Sequence, residues 1–338
     1  MRQAVMIRPG EIELRDVAPP RPGRGEVLLR IRRIGICGSD VHVYHGRHPY
    51  TSYPVVQGHE FCATIEELGP GVTSLGVGQK VTALPQIVCG KCPPCRRADY
   101  HICDRLQVEG FQAPGVAQEL FVTSADRIVV LPEAFTFEQG ALVEPLAVAV
   151  HAVSRAGDVA GRHAAVLGAG PIGNLVAQVA LAGGATVMIT DVSDHRLEVA
   201  RRCGIECTSN ASAEGLSAAR DRAFGGAGVD VAFECAASAS ALSDAIETVA
   251  KGGTILLVGV FGQQPSVNVG LVQDHELTIR GTLMYRREDY LRAAQAIADG
   301  QVLTEPLISR HFPLADYLQA YRYIEESGPE SMKVFIDL

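Results

Sequence analysis

Residues 164–191 read AAVLGAGPIGNLVAQVALAGGATVMITD. A short apolar run, Ala164–Leu167, opens directly into Gly168-Ala169-Gly170-Pro171-Ile172-Gly173, and an apolar helix-forming stretch follows. A second β-branched run then ends at Asp191. Placed between a strand and a helix, G-x-G-x-x-G has a specific physical use. The first glycine makes the tight turn, the second lets a pyrophosphate approach the backbone, and the third lets helix and strand pack closely. The helix N-terminus then presents free N–H groups and its positive dipole end to the phosphates. A carboxylate ending the next strand accepts hydrogen bonds from a ribose 2′-OH and repels a 2′-phosphate. Gly168, Gly170, Pro171, Ile172, Gly173 and Asp191 therefore predict a bound dinucleotide, NAD rather than NADP. Arg196 reads either as a further nucleotide contact or as a solvated helix residue.

Outward from this motif, the stretch from about 147 to 285 keeps the same rhythm. SDHRLEVARRCG reads as a helix, and VDVAFECA, GTILLVGV and LTIRGTLMY read as further strands. Alternation of this kind predicts an α/β domain, a doubly wound parallel sheet covered on both faces. Residues 1 to about 145 have another texture. They are rich in Gly and Pro and carry short β-branched runs such as VLLRIRRIG and ATIEELG, the signature of an irregular, mainly antiparallel β region. Helical patterns return at YLRAAQAIADG and LADYLQAYRYIEES, and the chain closes on KVFIDL. A terminal strand needs a partner sheet, so KVFIDL is expected to rejoin the first region and leave the nucleotide domain inserted.

Four cysteines crowd into the first region: Cys89, Cys92, Cys95 and Cys103, spaced C-x2-C-x2-C-x7-C. Short fixed intervals bring four thiolates onto one ion as a tetrahedron, which suits structural zinc. An iron–sulfur cluster fits less well, because seven residues precede the fourth cysteine and no proline follows it. Disulfides are disfavoured because MRQAVMIRPGEIELRD contains no apolar export segment, so a cytoplasmic, reducing setting is expected.

Composition narrows the function classes. The 338 residues are 47% apolar and 20% charged, with net charge −8, which describes an ordinary globular protein. The acidic balance argues against a general nucleic-acid or anionic-membrane binder. The most apolar region, 164–182, is interrupted by glycines, Pro171 and Asn174, so no membrane span is predicted. A small-molecule substrate is the expected partner.

Three further fragments carry ligand-type side chains. Cys37 lies in GICGSD, His59 and Glu60 in GHE, and Glu144 in the apolar run ALVEPL. Taken singly, each has an ordinary structural reading: a packed thiol, a core histidine, an ion-pair partner, a solvent-facing acid. Glu144 is the hardest to leave unpartnered among so many apolar neighbours.

Together these motifs resemble the zinc-containing medium-chain dehydrogenases, in the branch of sorbitol, polyol and sugar-acid dehydrogenases. GICGSD, GHE, the four-cysteine lobe, EPL, GAGPIG and the strand-end Asp191 occur in the family's order and span nearly the whole chain. The resemblance implies a GroES-like catalytic domain, residues 1–146 and 287–338, interrupted by a Rossmann NAD domain at 147–286. It implies two zinc ions per chain. One is structural, on Cys89, Cys92, Cys95 and Cys103. The other is catalytic, on Cys37, His59 and an acid, with Glu144 direct and Glu60 exchanging or water-mediated. It further implies hydride transfer from a secondary hydroxyl to NAD, with the proton leaving through Ser39 and His42, and Asp40 orienting His59. Val258 and Leu283 are carried over as cofactor contacts, and a homodimer or homotetramer is expected.

Substrate residues are less sharply drawn. Polyol enzymes carry an Arg-Tyr pair after the last Rossmann strand. Here Tyr285 matches the tyrosine, but Met284 stands where the arginine would be. Ser39, Glu144 and Tyr285 are the expected substrate contacts, with Arg286, Arg47 or His48 available to a carboxylate. A sugar acid is placed slightly ahead of a neutral polyol. Threonine or another amino alcohol is the alternative substrate class. A zinc-free reductase and a non-catalytic zinc- and nucleotide-binding sensor are more distant readings.

Overall fold

A computed structural model describes all 338 residues. The chain divides into two compact units. The first comprises Met1–Glu144, Arg286–Ala298 and Ile308–Leu338, and the second Pro145–Tyr285 and Asp299–Leu307.

The second unit contains a six-stranded, all-parallel sheet. Its order is Cys207–Asn210, Thr186–Asp191, His163–Leu167, Val229–Glu234, Val249–Leu257 and Thr278–Gly281. In chain order this is 3-2-1-4-5-6, the doubly wound dinucleotide-binding arrangement. The strand His163–Leu167 and the helix Pro171–Ala182 flank the glycine turn, with Gly170 as helix N-cap and Pro171 at the first helical position. Only glycine is possible at 173. A Cβ there would lie 1.8 Å from the carbonyl oxygen of Gly168. The strand Cys207–Asn210, sequence CTSN, lacks a sequence signal because it is short, polar and at the sheet edge. LTIRGTLMY supplies a strand only as far as Gly281.

The segment Asp299–Leu307 groups with the second unit, whereas the expected boundaries placed it in the outer domain. Gln178, in the helix after the glycine turn, explains why. Its Oε1 accepts the Leu303 N–H at 2.7 Å, and its Nε2 donates to the Leu303 carbonyl at 3.2 Å.

The first unit is built on a mixed sheet. Its main path runs Ile308–Pro313, Lys333–Asp337, Glu26–Ile36, Glu60–Leu68, Lys80–Ala83 and Ile128–Val130. Leu120–Ser124 also pairs with Glu26–Ile36. The terminal strand lies antiparallel to Glu26–Ile36, with Val334 opposite Ile36 and Ile336 opposite Ile34. Leu29, Ile31, Ile34, Phe61, Ile65 and Tyr321 are buried in one core. Full burial of each such aliphatic or phenyl side chain contributes roughly 1.5–3 kcal/mol. A 20-residue helix, Phe137–Ala156, carries Glu144 and runs through Pro145. No helix is long and apolar enough to cross a membrane.

Candidate active site

Cys37 follows the long strand Glu26–Ile36 and caps the short helix Gly38–Tyr44. Asp40, in the first turn of that helix, accepts the Cys37 N–H on Oδ2 at 3.0 Å. His59 immediately precedes the strand Glu60–Leu68, which pairs with Glu26–Ile36 so that Glu60 stands opposite Gly35. That pairing fixes the site. A Cβ at position 35 would lie 2.3 Å from Glu60 Oε2, so the absent side chain makes room for the carboxylate. One ligand-type atom each from Cys37, His59 and Glu60 lies within 4.8 Å of the others. Glu144, 4% exposed, stands outside this mutual distance, although its charge is felt by His59.

The three side chains fit a zinc ion. Thiolate, imidazole and carboxylate are zinc's usual donors, and three protein ligands leave a position for substrate. His59 adds an independent indication. It is 5% exposed, and its Nδ1 has no hydrogen-bond partner but faces Asp40 Oδ1 at 3.6 Å. A carboxylate behind one imidazole nitrogen is the usual backing for metal ligation by the other. Burial alone would lower the His59 pKa. Asp40, Cys37 and Glu144 outweigh it and hold the group well above the ordinary histidine value.

Glu60 has a second partner that sequence reading missed. Lys333, on the terminal strand, lies 2.7 Å from Oε2 and 2.9 Å from Oε1 and also donates to the Ile36 carbonyl. Both side chains are almost fully buried, at 4% and 1% exposure. A faint signal existed in KVFIDL, where one cation opens a strand otherwise made to be buried.

The four cysteines also converge. One sulfur from each lies within 4.8 Å of the others, and the Sγ atoms of Cys92 and Cys103 are 3.8 Å apart. All nine cysteines are free thiols. Backbone N–H groups of Lys91 and Cys92 lower the Cys89 thiol to about 6, while burial and neighbouring sulfurs push Cys95 up to about 12. Four crowded thiols cannot all ionise without a cation, and a zinc ion held by Cys89, Cys92, Cys95 and Cys103 would resolve that conflict. The lobe is tied to the rest of its unit through Asp99, which pairs with Arg286, and through the Tyr100 hydroxyl, which accepts the Arg287 N–H at 2.7 Å.

Other expected residues are distributed unevenly. Ser39 is half-buried and His42 exposed, both on the helix Gly38–Tyr44. Arg47 is exposed. His48 is half-buried, stacked on Phe111 at 4.6 Å, and Phe111 in turn lies 4.9 Å from His59 between ring centroids. Arg286 is directed to Asp99 and, at 3.4 Å, to His101, which weighs against a substrate role. Tyr285 is fully buried, and Met284 before it adopts φ +51°.

In the second unit, Asp191 is 8% exposed and accepts the Ala169 N–H at 2.7 Å and the Ser193 N–H at 2.9 Å. The carboxylate therefore braces the glycine turn as well as ending its strand. Arg196 Nη1 lies 3.8 Å from Asp191 and 3.9 Å from where a Gly170 Cβ would be, so it reaches over the turn. Val258 is half-buried and donates its N–H to the Glu234 carbonyl at 2.9 Å, and Leu283 is 54% exposed.

Comparison with known proteins agrees with this geometry. Residues 23–133 match the alcohol dehydrogenase GroES-like domain, and residues 171–299 match the zinc-binding dehydrogenase domain. The chain is 36% identical to a 2-dehydro-3-deoxy-L-galactonate 5-dehydrogenase of Pseudoalteromonas atlantica, over 94% of this chain and 92% of that protein. It is 35% identical to an L-threonine 3-dehydrogenase of Legionella pneumophila, over 96% of each. An alcohol dehydrogenase of Escherichia coli solved with NADH superposes with TM-score 0.93 at 28% identity, covering 100% of this chain and 99% of that one. The chain belongs to the zinc-binding medium-chain dehydrogenases and is a zinc- and NAD-dependent oxidoreductase of secondary alcohols.

Proposed function

We propose that the chain oxidises a secondary hydroxyl of a sugar acid to a ketone and passes the hydride to NAD. Cys37, His59 and an acid, Glu60 or Glu144, would hold the catalytic zinc, and Cys89, Cys92, Cys95 and Cys103 the structural one. The observation that carries this reading is the Cys37–His59–Glu60 donor set with Asp40 behind His59. Zinc there supplies Lewis acidity, lowering the pKa of the substrate hydroxyl. Cys37 and the acid offset the ion's double charge, and Asp40 fixes which imidazole nitrogen is presented. Ser39 relays the substrate proton, giving up its own hydroxyl proton as it accepts one, and the ribose hydroxyls carry it on to exposed His42, which delivers it to solvent. The glycine turn and Asp191 hold the dinucleotide that accepts the hydride.

The acid class is favoured over a neutral polyol by the basic stretch Arg47-His48 after the Cys37 helix, together with the name of the 36% identical relative. Threonine oxidation is the second reading, favoured by the 35% identical relative. The test is NAD reduction by zinc-loaded protein over hexonates and deoxy-hexonates, hexitols and L-threonine. Highest kcat/KM on an acid supports the proposal. Highest kcat/KM on a hexitol or on threonine overturns the acid assignment, and absence of turnover with zinc present overturns the site.

A further inference from the structure

Behind His59 the polar contacts do not stop at Asp40. Gln57 is 1% exposed and donates from Nε2 to the Asp40 backbone oxygen at 3.2 Å and to Asp40 Oδ1 at 3.3 Å. The Tyr321 hydroxyl donates to Gln57 Oε1 at 2.9 Å. Tyr321 is fully buried in the helix Tyr317–Ser327, its ring 5.0 Å from that of Tyr44 and 5.5 Å from that of Tyr317. Four side chains from three stretches of the sequence thus form one buried series: Tyr321, Gln57, Asp40, His59.

The chemistry fixes the direction of this series. An ionised Asp40 only accepts hydrogen bonds, so the Gln57 amide must turn its NH2 group toward it, leaving Oε1 for the Tyr321 hydroxyl. Each donation strengthens the next in a low-dielectric interior. Asp40 ends with Oδ2 held by the Cys37 N–H and Oδ1 held by Gln57, its free lone pairs facing His59 Nδ1.

We infer that Gln57 and Tyr321 are positioning residues for the metal ligand His59, acting in series through Asp40. Their role is to keep the Asp40 carboxylate aimed at Nδ1, so that His59 offers its other nitrogen to zinc. The inference rests on the proposed reading of His59 as a zinc ligand. Carboxylates directly behind a ligating histidine influence metal affinity about 10- to 100-fold, and groups one step further back are expected to act at the lower end of that range.

The test measures zinc affinity at each of the two sites by competition with a chromogenic chelator, using wild type, Gln57→Met, Tyr321→Phe and the double variant. The four-thiolate site serves as internal control. In Gln57→Met the catalytic site is expected to weaken about 10-fold and in Tyr321→Phe about 3-fold, with the control unchanged. Members of a series are not additive, so the double variant should be no weaker than Gln57→Met. Unchanged affinity in both single variants, or single effects that simply add, overturns the inference while leaving the zinc site intact. Wild type binding a single zinc overturns the underlying reading as well. Tyr321→Phe removes one oxygen from a retained ring, so it tests the series even where Gln57→Met fails to fold.

Discussion

Lys333 Nζ and the Glu60 carboxylate form a two-oxygen ion pair, 2.7 and 2.9 Å, between the last strand of the chain and the second fragment of the metal site. Glu60 therefore has two claimants, a fixed ammonium and any cation held with Cys37 and His59. Breaking a buried pair by removing one partner typically costs about 3–5 kcal/mol, because a charge is left unpaired. Lys333→Met should lower the Tm strongly in the presence of a chelator and less so with saturating zinc, because the ion then replaces the ammonium. Thermal melts under the two conditions check this. Equal losses would show that Glu60 does not sense the metal.

Cys37→Ser should reduce bound zinc from two to one per chain and lower kcat by about 1,000-fold or more, the equivalent of several kcal/mol of lost Lewis-acid assistance. NADH binding followed by fluorescence should be unchanged, because the glycine turn is in the other unit. Two zinc ions retained in the variant would place the catalytic metal elsewhere.

Asp191 combines a structural role with a discriminating one, so Asp191→Asn is the informative change. The amide keeps an oxygen for the Ala169 or Ser193 N–H but removes the charge that repels a 2′-phosphate. The ratio of kcat/KM for NAD over NADP should fall about 10- to 100-fold, or 1.4–2.8 kcal/mol. An unchanged ratio would leave Asp191 as a brace for the turn only.

Arg47 and Arg286 separate cleanly by partner. Arg286 is directed to Asp99 at the four-cysteine lobe, whereas Arg47 is exposed after the Cys37 helix. Arg47→Ala should lower kcat/KM for acids about 10-fold while leaving hexitols unaffected. Arg286→Ala should lower the Tm with little effect on the acid-to-hexitol ratio. Steady-state kinetics over the two classes, with melts, decide between them, and a fall in that ratio for Arg286→Ala would return it to the substrate site.

Glu109 is 3% exposed, and burial pushes its carboxyl up to about 7 against the opposing pull of Arg127, whose guanidinium lies 2.6 Å away. A folded-state pKa above the unfolded value of about 4.3 means the folded state binds this proton more tightly. The resulting stabilisation is complete below about pH 4 and is lost as pH rises through about 7. The Tm of wild type should therefore fall relative to that of Glu109→Gln between pH 5 and 8. A constant difference across that range would mean that Glu109 is ionised throughout.

The readable parts of this protein are those written in local intervals. The strand–glycine–helix order at 164–191 determines a dinucleotide site, because turn, helix dipole and strand end lie within one continuous stretch. The C-x2-C-x2-C-x7-C lobe determines a zinc site, because four short spacings suffice to converge four sulfurs. Cys37, His59 and Glu60 carried no such interval and were joined only by resemblance. Their meeting is produced by pairing across Glu26–Ile36 and Glu60–Leu68, with Gly35 leaving space for the carboxylate. The short polar strand Cys207–Asn210 and the attachment of Asp299–Leu307 to the second unit through Gln178 escaped a pattern reading for the same reason. Their signals lie in partners, not in periodicity. Lys333, Gln57 and Tyr321 are the furthest case. Gln57 stands two residues before His59 but carries no ligand-type side chain, nothing near Lys333 or Tyr321 in sequence marks a metal site, and sequence separations of 273 from Lys333 to Glu60 and 264 from Tyr321 to Gln57 close only when the last strand and last long helix join the first sheet's core. The sequence alone determined the dinucleotide turn and the four-thiolate lobe. The tertiary structure decided which charges face the catalytic ligands, because electrostatic partnership depends on distance in space and the chain reaches that proximity only by packing.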